Sequence, residues 1–321
     1  MSEDRPGQTE RGFLGRSWSR IGLYAFLLGM VVFYLIPIET GLATSIKTEG
    51  AFTGRNPYLP PLPWDATLAS WSDAFLSLLD GLVNSLILVI PATVLSGLLG
   101  SMAAYGLTTI SWRGQVGIYS LFVAGIFIPY QAVLVPLTVF WYNIVPIQDW
   151  WLESVANGIS IFGLFEIPST FMLFGWELGL QPYHWQLISL IITHTAYGIP
   201  ICALLFRAHY KKLPDEMVEA ARLDGASIRR IYRRIILPLS VPMFAVVFIY
   251  QFTQIWNDLL FALILVQNNE AAVVTQQLID LGAAQEGIDY PLRMAGAFVA
   301  ALPTLLVYVV FGDKFAKGVA A

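Results

Sequence analysis

Charge is what this chain has least of. Its 18 Lys+Arg and 22 Asp+Glu make up only 12% of 321 residues, about half the share in an average soluble domain. With 56% hydrophobic residues and a mean hydropathy of +0.64, that scarcity excludes an ordinary water-soluble enzyme. The single cysteine, Cys202, excludes a disulfide framework and a cysteine metal cluster, and within its apolar run it reads as a small hydrophobe. The three histidines, His184, His194 and His209, are too dispersed for a His-Glu-x-x-His set, so no metal site is expected. No Gly-Lys-Ser/Thr occurs, hence there is no P-loop to cradle nucleotide phosphates, and neither catalysis nor a bound cofactor is expected of the chain itself. A net charge of −4 argues against nucleic acid, which requires a basic surface.

What the chain has in quantity is uncharged sequence. A helix crossing a hydrocarbon core of about 30 Å needs about 20 predominantly apolar residues. Six stretches free of Asp, Glu, Lys and Arg carry spans of that length, predicted near 21–43, 82–107, 116–140, 186–208, 240–266 and 294–312. The first has too long an apolar run for a signal peptide and no small-residue cleavage site before Glu39, so it reads as a retained helix. Pro91, Pro129, Pro136, Pro200 and Pro303 fall inside spans, which bundled membrane helices tolerate. Fifteen of the 18 Lys and Arg lie in the N-terminal segment, the second-to-third and fourth-to-fifth loops and the tail. Positive loops stay inside. The expected organisation is therefore an all-α, polytopic cell-membrane protein: a cytoplasmic segment 1–20, a six-helix transmembrane domain 21–312, and a cytoplasmic tail 313–321.

Two loops stand out. The external one, 141–184, is rich in Trp and has apolar pieces too short to span. It reads either as an interfacial insertion anchored among lipid headgroups or as a docking surface for an extracytoplasmic partner. The cytoplasmic one, within 209–238, reads as two short helices. Pro214 suits the first turn of the first, with Asp215 and Glu216 at its positive end. Met217, Ala220, Ala221 and Leu223 give it one small, apolar face, Gly225 supplies a positive-φ stop, and Ser227 caps the next helix.

The spacing Glu219-Ala220-Ala221, three residues, Gly225, nine residues, Ile235, one residue, Leu237-Pro238 matches the EAA signature of ABC importer permeases without departure. The runs NSLILVIPATVLSGLLGSMAAYGL at 84–107, IPYQAVLVPL at 128–137, Trp256-Asn257-Asp258 and YPLRMAGAFVAALPTLLVY at 290–308 look like the six-span, maltose-type carbohydrate permeases. The resemblance covers nearly all the chain from about residue 20 except 141–179. The Trp-rich stretch is longer than that group's usual loop, and relatives often continue past the position of Ala321 with a Gly-containing tail, which leaves a tail contact with the ATPases open.

The resemblance implies the transmembrane domain of a type I ABC importer. Its EAA loop is a coupling helix seated on a cytoplasmic ATPase, with Glu219 pairing a basic group there, Ala220 and Ala221 allowing close packing, and Ile235, Leu237 and Pro238 passing displacement into the fifth span. The partners it implies are two ATPase subunits carrying ATP and Mg, a second permease subunit, an extracytoplasmic solute-binding protein, membrane lipid and a carbohydrate, with glycerol phosphate or another small polar solute as alternatives. Polar groups at membrane depth are the candidates for the passage: Gln131, Gln254, Asn257 and Asp258, with Trp256 as an aromatic face for a sugar. His194 and Gln251 also qualify, His194 equally well as an interhelical hydrogen-bonding group. A secondary transporter would share the spans but needs intramembrane acids or paired repeats, and Asp258 is the only acid in the fifth span.

Overall fold

The computed structural model describes residues 10–54, 58–110, 112–157, 181–284 and 287–320, with the strand segments 159–161, 165–167, 170–173 and 176–179. In order these hold α1 (Glu10–Ser45), α2 (Glu49–Gly54), α3 (Ala69–Gly106), α4 (Gln115–Ile126), α5 (Tyr130–Val139), α6 (Ile147–Asn157), α7 (His184–Tyr210), α8 (Asp215–Leu223), α9 (Ile228–Ile231), α10 (Leu237–Leu239), α11 (Val241–Trp256), α12 (Leu260–Leu265), α13 (Val274–Asp280) and α14 (Tyr290–Ala320). The strands described are short two-stranded antiparallel hairpins, such as Ile159–Ile161 with Phe165–Ile167.

Among the described residues, four helices are long and apolar enough to cross a membrane unbroken: Arg20–Ser45, Ala69–Gly106, His184–Tyr210 and Tyr290–Gly312. Two more candidates are bent pairs, Gln115–Ile126 with Tyr130–Ile144 at 99° and Ile228–Leu239 with Val241–Trp256 at 75°, so the count reaches six if each pair is one span. The predicted third span, 116–140, is therefore not one straight helix. Pro129 is extended, with φ −67° and ψ 142°, and a proline disfavours helical backbone at the residue before it, here Ile128. The other four predicted intra-span prolines do lie inside helices. The predicted fifth span, 240–266, is also interrupted: α11 stops at Trp256 and α12 restarts at Leu260.

The chain forms two compact units. One runs to Phe75 and includes Gly282–Val299. In it the end of α1 is fixed by a hydrogen bond from Trp71 Nε1 to Ser45 Oγ at 3.1 Å, while Trp71 stacks on Phe298 with ring centroids 5.9 Å apart. Lys47, 2% exposed, lies beside this corner, and burial pushes its ammonium pKa down against the opposing pull of Glu39. The remainder of α1 presents Tyr24, Phe26, Leu28, Phe33 and Tyr34 outward, all more than half exposed.

The other unit, Leu76–Leu281 with Ala300 onward, is built on α3, α7 and α11. Small residues let these helices touch, the usual device where lipid offers no hydrophobic drive for helix association. A Cβ at Gly97 would sit 2.4 Å from the Phe248 ring, and one at Gly198 would sit 2.2 Å from Gln251 Nε2. The buried core continues toward the EAA loop through Cys202, Phe206, Tyr210, Val218, Ile231, Ile236, Phe244 and Val247.

At the opposite end, polar side chains hold the 266–281 segment. Asn84 Nδ2 donates to Glu270 O at 2.9 Å and Ala272 O at 3.1 Å. Gln186 Oε1 accepts from Gln267 N and Asn268 N. In the Trp-rich loop, Trp141 and Trp151 are each 5% exposed; their indoles donate to Thr193 Oγ1 at 2.9 Å and Gln181 O at 2.8 Å. These two rings pack the protein itself, whereas Trp150 is half exposed and free for an interface. The side chain of Trp176 lies outside the described residues.

Candidate functional site

The EAA segment folds as its residue types dictate. Pro214 sits in extended backbone (φ −61°, ψ 126°) and opens α8, with Asp215 and Glu216 in the first turn where the helix dipole favours acids. At the other end Gly225 has φ +72°. Its N–H donates to Arg222 O at 3.0 Å and the Ala226 N–H to Ala221 O at 2.9 Å, the paired bonds of a Schellman cap. Ser227 then receives the Arg230 N–H on its Oγ at 3.4 Å.

Val218, 8% exposed, turns inward to the core shared with Phe206 and Ile231 and fixes which side of α8 faces out. Glu216, Glu219, Ala220 and Leu223 are exposed, Ala221 is half-buried, and Leu223 is 90% exposed. A bare leucine at the end of a nine-residue helix is unusual beside three acids unless something covers it. Sequence reading assigned Leu223 to an apolar face but not to solvent.

The loop is tied to the bundle by hydroxyls that the sequence reading missed. Ser101 Oγ lies 2.6 Å from Tyr210 Oη and 2.8 Å from Tyr232 Oη, joining α3, the end of α7 and the turn after α9. Tyr105 Oη donates to Ile228 O at 3.1 Å, and Arg222 Nη2 donates to Thr109 O at 2.6 Å. The run Ser96, Gly97, Gly100, Ser101, Ala104 was the available signal, because small residues three and four apart mark a helix-packing face. Ser101→Ala is expected to lower stability by about 1 kcal/mol by removing the hydroxyl that Tyr210 and Tyr232 share, read as a drop in melting temperature of the detergent-solubilised protein.

Beyond Tyr232 the chain passes through a π turn, Tyr232–Ile236. Pro238 has no N–H to donate to Arg234 O, which removes one helical bond at this point. Ile236 is 2% exposed, Ile235 and Leu237 are half-buried against the same core, and Pro238 is exposed. The motif residues therefore lie along one stretch of short helical segments running from α8 to the start of α11.

The passage candidates divide. Around Phe261, fully buried, Tyr130 stacks at 4.7 Å, His194 meets the ring edge-on at 5.3 Å and Tyr197 at 5.4 Å. Tyr197 Oη donates to Ile128 O at the Pro129 break. Tyr130, His194, Tyr197, Tyr250, Gln251 and Gln254 line a cavity of about 30 Å³, room for water but far below the ~300 Å³ at which ligand pockets begin. At this place the described residues thus offer lining and no enclosed sugar pocket.

Gln254 belongs to that lining and is exposed; Gln131 and Asn257 are exposed outside it, Asn257 with its Nδ2 on Thr253 O. Asp258 does structural work: its Oδ2 accepts the Phe261 N–H at 3.1 Å, capping α12. His194 Nε2 lies 3.5 Å from the same oxygen, with both side chains over nine-tenths buried. Trp256 is 3% exposed and its indole donates to Ala300 O at 2.9 Å. That bond turns its polar edge into the helix packing and away from the cavity, so the geometry does not support the expected sugar-facing role.

Residues 96–312, which contain both the EAA segment and the passage cluster, match the family model described as binding-protein-dependent transport system inner membrane component. The chain belongs to this family. The permease is 49% identical over 301 residues to the xylose/arabinose import permease of Haloferax volcanii, covering 93% of this chain and 91% of that one. It is 28% identical to the diacetylchitobiose uptake permease of Streptomyces coelicolor, over 92% of this chain and 86% of the relative. Among solved structures, it superposes on a chain of a bacterial alginate ABC transporter in complex with an alginate-pentasaccharide-bound periplasmic protein, with TM-score 0.62, 16% identity, and 95% and 96% of the two chains covered. That likeness shows the fold, and together with the family match it makes the chain an all-α, multi-pass ABC importer transmembrane domain.

Proposed function

We propose that this permease is the sugar-translocating subunit of an ATP-driven importer, receiving a pentose or oligosaccharide from an extracytoplasmic binding protein. In this reading α8 docks on one of two ATPase subunits, which carry ATP and Mg, and a second permease chain completes the passage. Both termini lie in the cytoplasm, and ATP is hydrolysed by the partners alone. The observation that carries the reading is the outward face of α8: a rigidly capped helix presenting Glu219, Ala220 and the 90% exposed Leu223 while Val218 anchors it behind. Relatives named for xylose/arabinose and diacetylchitobiose support sugar as the cargo.

Coupling requires that ATP and the loaded binding protein each favour one state of the bundle. A swing from 1:99 to 99:1 takes a preference of about 5.5 kcal/mol, and the lever from α8 through Tyr232 and Pro238 into α11 is the element that conveys it. Gln254 and the Tyr130–His194–Tyr197 cluster supply the polar lining, with Gln131, Asn257 and Asp258 at its margins.

Leu223→Asp places a charge at the apolar end of the docking face. Uptake of labelled xylose or arabinose by cells depending on this permease is expected to fall more than about tenfold, the scale of a lost interface hot spot, with unchanged amounts of permease in the membrane. Native uptake would remove α8 from docking.

A further inference from the structure

The segment that follows the coupling helix carries a second surface. Arg229, Arg230, Arg233 and Arg234 are all exposed, and their i, i+1, i+4, i+5 spacing places the four guanidiniums on one side of the helix. The opposite side is fixed by Ile231 at 1% and Ile236 at 2% exposure. No carboxylate among the described residues pairs with any of the four.

Ile228–Leu239 meets Val241–Trp256 at 75°. Membrane helices tilt by only about 20° on average, so when α11 crosses the bilayer the basic segment lies close to the membrane plane. Flanking the arginines, Ile228 (52%), Leu239 (43%) and Val241 (61%) leave apolar side chains uncovered. Guanidiniums beside bare aliphatic groups, on an in-plane helix running into a membrane span, match the boundary between lipid phosphates and acyl chains. An acidic protein surface would satisfy the arginines and leave the aliphatic rim in contact with charge.

We propose that this arginine face binds anionic phospholipid headgroups and thereby holds the coupling helix at a fixed depth. The surface is separate from the α8 docking face, and the inference requires only that the chain spans a membrane.

The test measures binding of short-chain phosphatidylglycerol, phosphatidylcholine and inorganic phosphate to the full chain purified in neutral detergent with whatever subunits accompany it. Phosphatidylglycerol is expected to bind at least about tenfold more tightly than phosphatidylcholine, and more weakly as salt rises. At about fivefold per cationic residue, R229Q/R230Q/R233Q/R234Q should lose at least about tenfold of that affinity, while the four-lysine version retains most of it and reports that the fold is intact. Equal binding of the two lipids, or native binding by the glutamine variant, overturns the proposal. So does competition by inorganic phosphate at the same concentration as the lipid. Loss of ATPase co-purification with unchanged lipid binding would assign the face to the ATPase instead.

Discussion

Gly225→Val is expected to leave the permease in the membrane and to abolish solute-stimulated ATP hydrolysis by the assembled importer. No atom stands within 4 Å of where a Cβ at Gly225 would sit, so the effect is one of backbone conformation and not of crowding. At φ +72° a β-branched residue is strained by about 1–3 kcal/mol. Relief of that strain breaks the two closing bonds of the cap, Gly225 N–H to Arg222 O and Ala226 N–H to Ala221 O. Frayed there, α8 no longer aims Leu223 and Glu219, and motion at the ATPase is not passed to Tyr232 and α11. Gly225→Asn, which tolerates the left-handed region, should retain most coupling. The measurement is ATP hydrolysis with and without loaded binding protein; full stimulation in the valine variant, or loss in both variants alike, contradicts the argument.

Gly100→Leu is expected to prevent folding altogether. A Cβ at Gly100 would lie 2.4 Å from Cys202 Cβ, 3.0 Å from Ala203 N and 3.1 Å from Cys202 C. Two of those atoms are backbone and cannot rotate away, so α3 and α7 must separate. Overpacking in a tight core costs about 1–3 kcal/mol even where side chains can adjust, and here separation also parts Ser101 from Tyr210, where the hydroxyl pair is 2.6 Å apart. Gly117→Leu, at a position with nothing within 4 Å, is the matched control. Size-exclusion profiles and melting temperatures in mild detergent should show aggregated or absent protein for the first and a native profile for the second. A native melt for Gly100→Leu would mean that the α3–α7 contact is looser than described.

Most of the architecture was legible because membrane physics leaves few options. Uncharged runs of spanning length located the long apolar helices in order, and α7 at His184–Tyr210 lies within two residues of its predicted bounds. The cap chemistry of the EAA loop was equally local, so Pro214, Gly225 and Ser227 could be read one residue at a time. Breaks were harder. Five prolines looked alike in sequence, yet only Pro129 falls at a break between helices, where Tyr197 on another helix donates to the Ile128 carbonyl. Trp256 illustrates the same limit: its residue type fits a sugar face, and only the position of Ala300 O turns it inward. The Ser101–Tyr210–Tyr232 hub joins positions more than a hundred residues apart, which no periodicity reveals; His194 could be named from its polarity at membrane depth, but not the aromatic ring of Tyr130, Tyr197 and Phe261 around it.

We propose that a partner's ATP hydrolysis drives solute through this chain by way of α8. The most direct test is purification of the tagged permease in mild detergent, identification of the co-purifying subunits, and assay of ATP hydrolysis with xylose, arabinose and an oligosaccharide on the binding protein. An ATPase and a second permease are expected to be recovered, with hydrolysis stimulated by loaded binding protein in the native complex and not in Leu223→Asp. A chain that purifies alone and carries solute across vesicle membranes without ATP would contradict it.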